Sequence, residues 1–187
     1  VGLALMNYES SYGSFPQGAK YQSYEGWNWV DASMFVQMSQ YFEQGSLFNS
    51  WNTSLGIYRA VNMTVQSTGI STLWCPSDGT VSEKTNIGNQ YYDAGLPFDT
   101  IYTSYAGMFG TWASWPQVIP DSIQATQPNS NGIFFNGSAV KISSITDGTS
   151  NTIAFGEHAH GILAKDDLPW WNHWFSGCHG DTGIDSM

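Results

Sequence analysis

Basic residues are scarce in this chain. Its 187 residues include five, Lys20, Arg59, Lys84, Lys141 and Lys165, against fifteen Asp and Glu, for a formal net charge of −10. The five are scattered, so no patch can neutralise several phosphates, and nucleic acid is not an expected partner. Charge of either sign is low, at 11% of residues, which leaves a surface of Ser, Thr, Asn, Gln and Gly. No apolar run approaches the ~18–20 residues of a membrane span, so no membrane crossing is expected of these residues themselves. Nucleophile elbows of the Gly-x-Ser-x-Gly type, His-Glu-x-x-His and phosphate-binding glycine loops are all missing, and no enzymatic activity is expected. The adjacent acids Asp166 and Asp167 read as a solvated pair.

Cysteine is also scarce. The two present, Cys75 and Cys178, read as one disulfide formed in an oxidising compartment, or else as two unrelated buried thiols. Aromatic residues, by contrast, are abundant at 16%, and apolar residues reach 41%. That composition excludes a disordered chain and suits a single domain with a real core over 1–187, helical over 1–50 and mainly strands and loops over 51–187.

Val1, Leu5, Tyr8, Tyr12 and Phe15 follow three- and four-residue steps, which predicts a helix capped by Gly13. Asp31 is placed to cap a second helix carrying Met34, Phe35, Met38, Tyr41 and Phe42, which Gly45 would stop. Beyond it, short runs at 70–74, 101–108, 132–135, 139–142 and 152–155 predict strands. Asn136-Gly137 predicts a tight hairpin joining 132–135 to 139–142. Segments 84–100 and 110–131 read as long surface loops. Helices first and antiparallel strands after predict an α+β fold.

A series of short motifs runs in order along the chain. It comprises Gly2-Leu3-Ala4-Leu5, Asn7-Tyr8, Gly13-Ser14-Phe15-Pro16, Trp27, Tyr41-Phe42-Glu43-Gln44 and Leu47-Phe48-Asn49. Cys75-Pro76-Ser77-Asp78, Thr103-Ser104-Tyr105-Ala106-Gly107, Asn131-Gly132-Ile133-Phe134 and Ile145-Thr146-Asp147-Gly148-Thr149-Ser150-Asn151-Thr152-Ile153 complete it, with Glu157 just beyond. The series resembles a large bacterial family of prepilin-type proteins carrying a pilin-like domain of unknown function. The resemblance implies an N-terminal helix end packed on an antiparallel sheet, continuing an upstream apolar helix of the type IV pilin kind. Membrane attachment would come only through that helix. It further implies a structural subunit that self-associates into a filament, a fimbrium-like assembly outside the cell or on its surface. Val1, Leu5, Tyr8 and Tyr12 would then belong to an assembly interface. The family's late His-Pro-Gly-Gly-like and Asp-Gly-Ser segments have no counterpart here.

Candidate sites follow from side-chain chemistry. Asp147, Asn151 and Glu157 offer hard oxygens around Gly148, a set suited to calcium, or else an Asx-type turn bonded to its own backbone. His158, His160, His173 and His179, with Cys178, include the ligand types of zinc, or else hydrogen-bonded edge histidines. Asn52, Asn62 and Asn136 head glycosylation sequons, as in a secreted glycoprotein. Nine tryptophans are present, of which Trp112, Trp115, Trp170, Trp171 and Trp174 sit in loop-like sequence. They are read as interface or core residues. The alternative is a surface-anchored carbohydrate-binding module that stacks exposed tryptophans on polysaccharide.

Overall fold

The computed structural model describes residues 1–24, 27–55, 57, 59–87, 98–108, 110, 131–135, 137–163 and 173–176, with the backbone alone for 20–24, 27–31 and 98. Helix α1 spans Gly2–Tyr12, as the spacing of its apolar residues predicts. It stops at Gly13, whose φ of 72° is left-handed and whose N–H closes on the Glu9 carbonyl at 2.7 Å. Glycine alone takes that conformation without a Cβ clash.

The second helix starts later than Asp31 predicts. Asp31 lies inside strand β2 (Trp27–Ser33), which pairs antiparallel with β1 (Ala19–Tyr24). Ser33 is the cap instead. Its hydroxyl accepts the N–H groups of Phe35 and Val36 at 3.1 and 3.2 Å and donates to the Trp174 carbonyl at 2.6 Å. Its own N–H reaches the Phe175 carbonyl at 3.1 Å. Those long-range bonds hold the chain extended through Ser33, so winding begins only at α2 (Met34–Met38), which runs on into a 3-10 turn, Ser39–Phe42. The reversal falls at Glu43, with φ 62°, and Gly45 opens α3 (Gly45–Ser50) where it was expected to stop a helix. Helix α4 is a single turn, Met63–Gln66.

The described strands form three two-stranded antiparallel ribbons. They are β1–β2, then β3 (Thr85–Ile87) with β4 (Phe98–Thr100), then β5 (Tyr105–Gly107) with β6 (Phe155–Glu157). The class is α+β, although β1–β2 intervenes between helices and α1 packs chiefly on α2 and the 3-10 turn rather than on a sheet. The expected strand at 70–74 is a 3-10 turn, Ser71–Leu73. Strands β3 and β4 both fall inside 84–100, the segment expected to be a loop.

The predicted Asn-Gly hairpin does not form between its two arms. The chain turns there, with Gly137 at φ 69° and Ser138 N–H on the Phe135 carbonyl at 3.0 Å. Residues 15–19 then take the bonds that the arms would have exchanged. Phe15 N–H reaches Val140 O at 2.8 Å, Gly18 N–H reaches Phe135 O at 3.1 Å, and Gly137 N–H reaches Ala19 O at 3.2 Å. Gly18 is buried in this seam, and a Cβ there would lie 2.6 Å from the Phe134 carbonyl carbon and oxygen.

One buried apolar cluster draws on both parts of the chain, from Ala4 and Leu5 through Met38, Ile57 and Leu73 to Phe134, Trp174 and Phe175. Phe155 is packed against it, stacked on Phe134 at 4.9 Å and Phe35 at 6.0 Å. Strand β5 is extended by His158 N–H on Ser104 O and Met108 N–H on Ala154 O, both at 2.9 Å.

Candidate functional site

Helix α1 is apolar on two faces. Its inner face seats Ala4 and Leu5 in the core, with Val1 and Tyr8 packed against them. Tyr8 lies beside Tyr12, with centroids 4.5 Å apart and planes tilted by 33°, and meets Tyr41 edge-on at 6.1 Å. Burial, with Tyr12 and Tyr41 alongside, raises the Tyr8 phenol above its ordinary value. The outer face carries Leu3, 76% exposed, and Met6, 47% exposed, and Tyr12 is exposed at the last turn. Of the four expected interface residues, Leu5 therefore belongs to the core, and Leu3 and Met6 present the open apolar surface. Sequence reading missed these two because they lie off the three- and four-residue stripe.

Among the tryptophans whose side chains are described, Trp51 and Trp174 are buried and offer no face for stacking. Trp174 is 1% exposed and Trp51 6% exposed, so Trp174 is a core residue. Trp74 is half-buried, with its indole N–H on the Tyr102 carbonyl at 3.1 Å. Trp112, Trp115, Trp170 and Trp171 lie outside the described residues, as do Asn136, Cys178 and His179. Cys75 carries a free, half-buried thiol, and its backbone N–H donates to the Ser104 hydroxyl at 2.9 Å.

The segment 147–151 folds as a turn closed on itself. Asn151 Nδ2 donates to the Asp147 carbonyl at 2.8 Å, Asn151 N–H to Gly148 O at 3.0 Å, and the Thr152 hydroxyl to Gly148 O at 3.2 Å. Gly148 has φ 86°. Asn151 thus bonds the local backbone with its side chain, as the alternative to calcium given above expects of it, while Asp147 takes part through its carbonyl. Glu157 is exposed at the end of β6. Among the described residues no group of three or more His, Cys, Asp or Glu is arranged to hold a metal ion.

Two of the sequons meet each other. Asn62 is fully buried, its Oδ1 accepting Asn52 N–H at 2.9 Å and its Nδ2 donating to the carbonyls of Asn52 and Leu55 at 3.2 and 3.4 Å. A glycan cannot be attached to an amide enclosed in this way, so Asn62 is a structural residue. Asn52 is exposed, and its Oδ1 accepts Ser54 N–H at 2.9 Å in a local turn.

The polar centre that sequence reading did not assemble lies around Tyr102. His160, 2% exposed, stacks on the Tyr102 ring at 3.9 Å, and His173, 4% exposed, stacks on Tyr102 at 5.5 Å and on Phe175 at 5.1 Å. A β-bridge between Tyr102 and His173 aligns the second pair. His160 Nδ1 lies 3.3 Å from the Thr80 hydroxyl. Thr80 in turn donates its hydroxyl to Asp78 Oδ1 at 2.8 Å, and Gly161 N–H donates to Asp78 Oδ2 at 3.2 Å. Burial alone would raise the Asp78 carboxyl, but the hydrogen bonds from Thr80, Gly161 and His160 outweigh it and hold the group below its ordinary value. Burial lowers His158, and nearby His160 lowers it further, against the opposing pull of the Tyr105 backbone, Asp78 and Glu157. Burial pushes Tyr102 up to about 12, with Thr85 opposing. The arrangement clasps residues 158–162 to the turn at 75–80. The only signal for it was Asp78-Gly79-Thr80, an Asx-turn sequence, and the gathering of histidines late in the chain.

No curated protein and no solved structure matches this chain. The family described as a protein of unknown function, DUF1559, matches residues 1–185. With its helix-led α+β architecture and a match over nearly its whole length, the chain belongs to the DUF1559 family.

Proposed function

We propose that this chain is the globular head of a prepilin-type structural subunit, built into a type IV pilin-like filament or assembly outside the cell or on its surface. Its role is architectural and without catalysis. The observation that supports this reading most is α1, which buries Ala4 and Leu5 in its own domain while holding Leu3 and Met6 out to solvent. An apolar side chain left in water gains free energy when a neighbouring copy covers it, at about 25 cal/mol per Å². A helix apolar on both faces in its first two turns suits a subunit whose helix is shielded only after assembly. Low overall charge favours close packing of repeated heads, and the net charge of −10 opposes it.

Electron microscopy of cells producing the full-length gene product tests the reading. Filaments labelled by an antibody to this chain, and lost on Leu3→Asp or Met6→Asp with secondary structure intact, are expected. Full-length protein recovered only as dispersed monomers would overturn it.

A further inference from the structure

Among the described residues, four buried polar atoms on three side chains of α4, β4 and the chain just after it lack a well-formed hydrogen bond. Gln66 closes α4 and is 0% exposed, yet neither its Oε1 nor its Nε2 is hydrogen-bonded. Thr100 ends β4, is 0% exposed, and has an unpaired hydroxyl. Tyr102, two residues on and 1% exposed, buries its hydroxyl without a well-formed hydrogen bond.

These groups are linked by the fold. Helix α4 packs against β4. Thr100 stands directly opposite Thr85 across the ribbon, so their side chains share one face. The Thr85 side chain is also the polar group that interacts with the Tyr102 hydroxyl. Tyr102 cannot swing out to water, because His160 and His173 both stack on its ring.

A buried amide left unpaired costs more than an ordinary hydrogen bond returns, and native proteins resolve such groups with ordered internal water that typically makes about three bonds. The chemistry here matches. Gln66 both donates and accepts, the hydroxyls of Thr100 and Tyr102 do either, and none of the three is ionised at neutral pH. The indole N–H groups of Trp51 and Trp174 are also unpaired, but each is a single donor and cannot anchor a bridge alone.

We infer that the joint between α4 and the β3–β4 ribbon is an internal hydration site, where ordered water accepts from Gln66 Nε2 and bonds the hydroxyls of Thr100 and Tyr102, bridging the two. The inference is independent of the filament reading, since it concerns the single folded chain.

A high-resolution crystal structure of the 187-residue chain, with oxygen-17 relaxation dispersion in solution, tests it. The expected result is density for water within hydrogen-bond distance of Gln66 and of Thr100 or Tyr102, together with a long-lived water signal in solution. Gln66→Met and Thr100→Val should each reduce that signal and lower Tm by about 2–4 °C, the shift from losing one net hydrogen bond in a domain of this size. Protein groups or a non-water solute bonded to Gln66 would overturn the inference. So would a Gln66→Met protein whose Tm is unchanged or raised, because that is the outcome for an amide with no partner at all.

Discussion

The imidazole of His160 lies on the ring of Tyr102, with centroids 3.9 Å apart and planes 24° from parallel. The pair joins segments 58 residues apart in the chain, and Thr80 ties His160 to a third segment 80 residues away. His160→Ala removes the stack and the Thr80 contact together and leaves a cavity. Urea denaturation is expected to show a loss of about 2–4 kcal/mol. A loss below about 0.5 kcal/mol, the range of an ordinary surface substitution, would mean that the clasp does not hold the fold.

Acid should loosen the same region in two stages. His158 is depressed by burial, so the unfolded chain takes up its proton first. Its contribution is full above about pH 6.5 and is lost as pH falls from there towards the lower folded value. Asp78 is also depressed, so its contribution is full above about pH 4 and is lost as pH falls through its folded value. Urea midpoints measured from pH 8 to pH 3 should decline in both ranges. His158→Gln should flatten the upper decline and Asp78→Asn the lower. A level profile between pH 7 and pH 5 in the unsubstituted protein contradicts the histidine assignment.

Asn62 should prove structural and unmodified. Its amide makes three hydrogen bonds to the 52–55 loop, and Asn62→Ala leaves the Asn52 N–H without its acceptor. A loss of about 2–4 kcal/mol is expected in equilibrium unfolding. In peptide mapping of protein from a glycosylating host, any glycan should be found at the exposed Asn52 and none at Asn62.

Gly18→Ala should damage the seam that replaces the hairpin. The new methyl group would meet the Phe134 backbone at 2.6 Å, and the seam offers no flexible side-chain end to move aside. Overpacking of this kind costs about 1–3 kcal/mol. Calorimetry should show a lower Tm, and an unchanged Tm would indicate that residues 15–19 do not lie between the two arms.

Cys75 and Cys178 are predicted to pair in protein exported to an oxidising compartment, Cys75 being the half-buried thiol that the structure describes. Closing so long a loop stabilises by up to about 4–5 kcal/mol in the chain-entropy model. Alkylation with mass spectrometry should find no free thiol before reduction and two after it. Two reactive thiols in the exported protein would refute the pairing.

Local features were legible wherever neighbouring residues carried them. The stripe of α1 and its glycine stop, the apolar content of α2 and the closed turn at 147–151 each depend on contacts within a few residues. The β1–β2 ribbon was missed although aromatic residues, Tyr21, Tyr24, Trp27 and Trp29, crowd both of its strands. Asp31, the cap expected from sequence, and Ser33, the cap observed, are both good caps by chemistry. The choice between them depends on Trp174 and Phe175, about 140 residues away. Asn62 resembled a surface sequon because its commitment to the 52–55 loop is invisible in an Asn-x-Thr triplet.

By itself the sequence determined the α+β class, the N-terminal helix and where it ends, and the family to which the chain belongs, because hydrophobic spacing, glycine stereochemistry and ordered motifs are properties of short segments. Only the tertiary structure decided that 15–19 bonds both arms of the expected hairpin, that His160 and His173 stack on Tyr102, and that Leu3 and Met6 face outward while Leu5 is buried. Those outcomes depend on which distant segments win the same backbone donors, ring faces and buried space. That competition is settled by the packing of the whole chain and not by any one stretch of it.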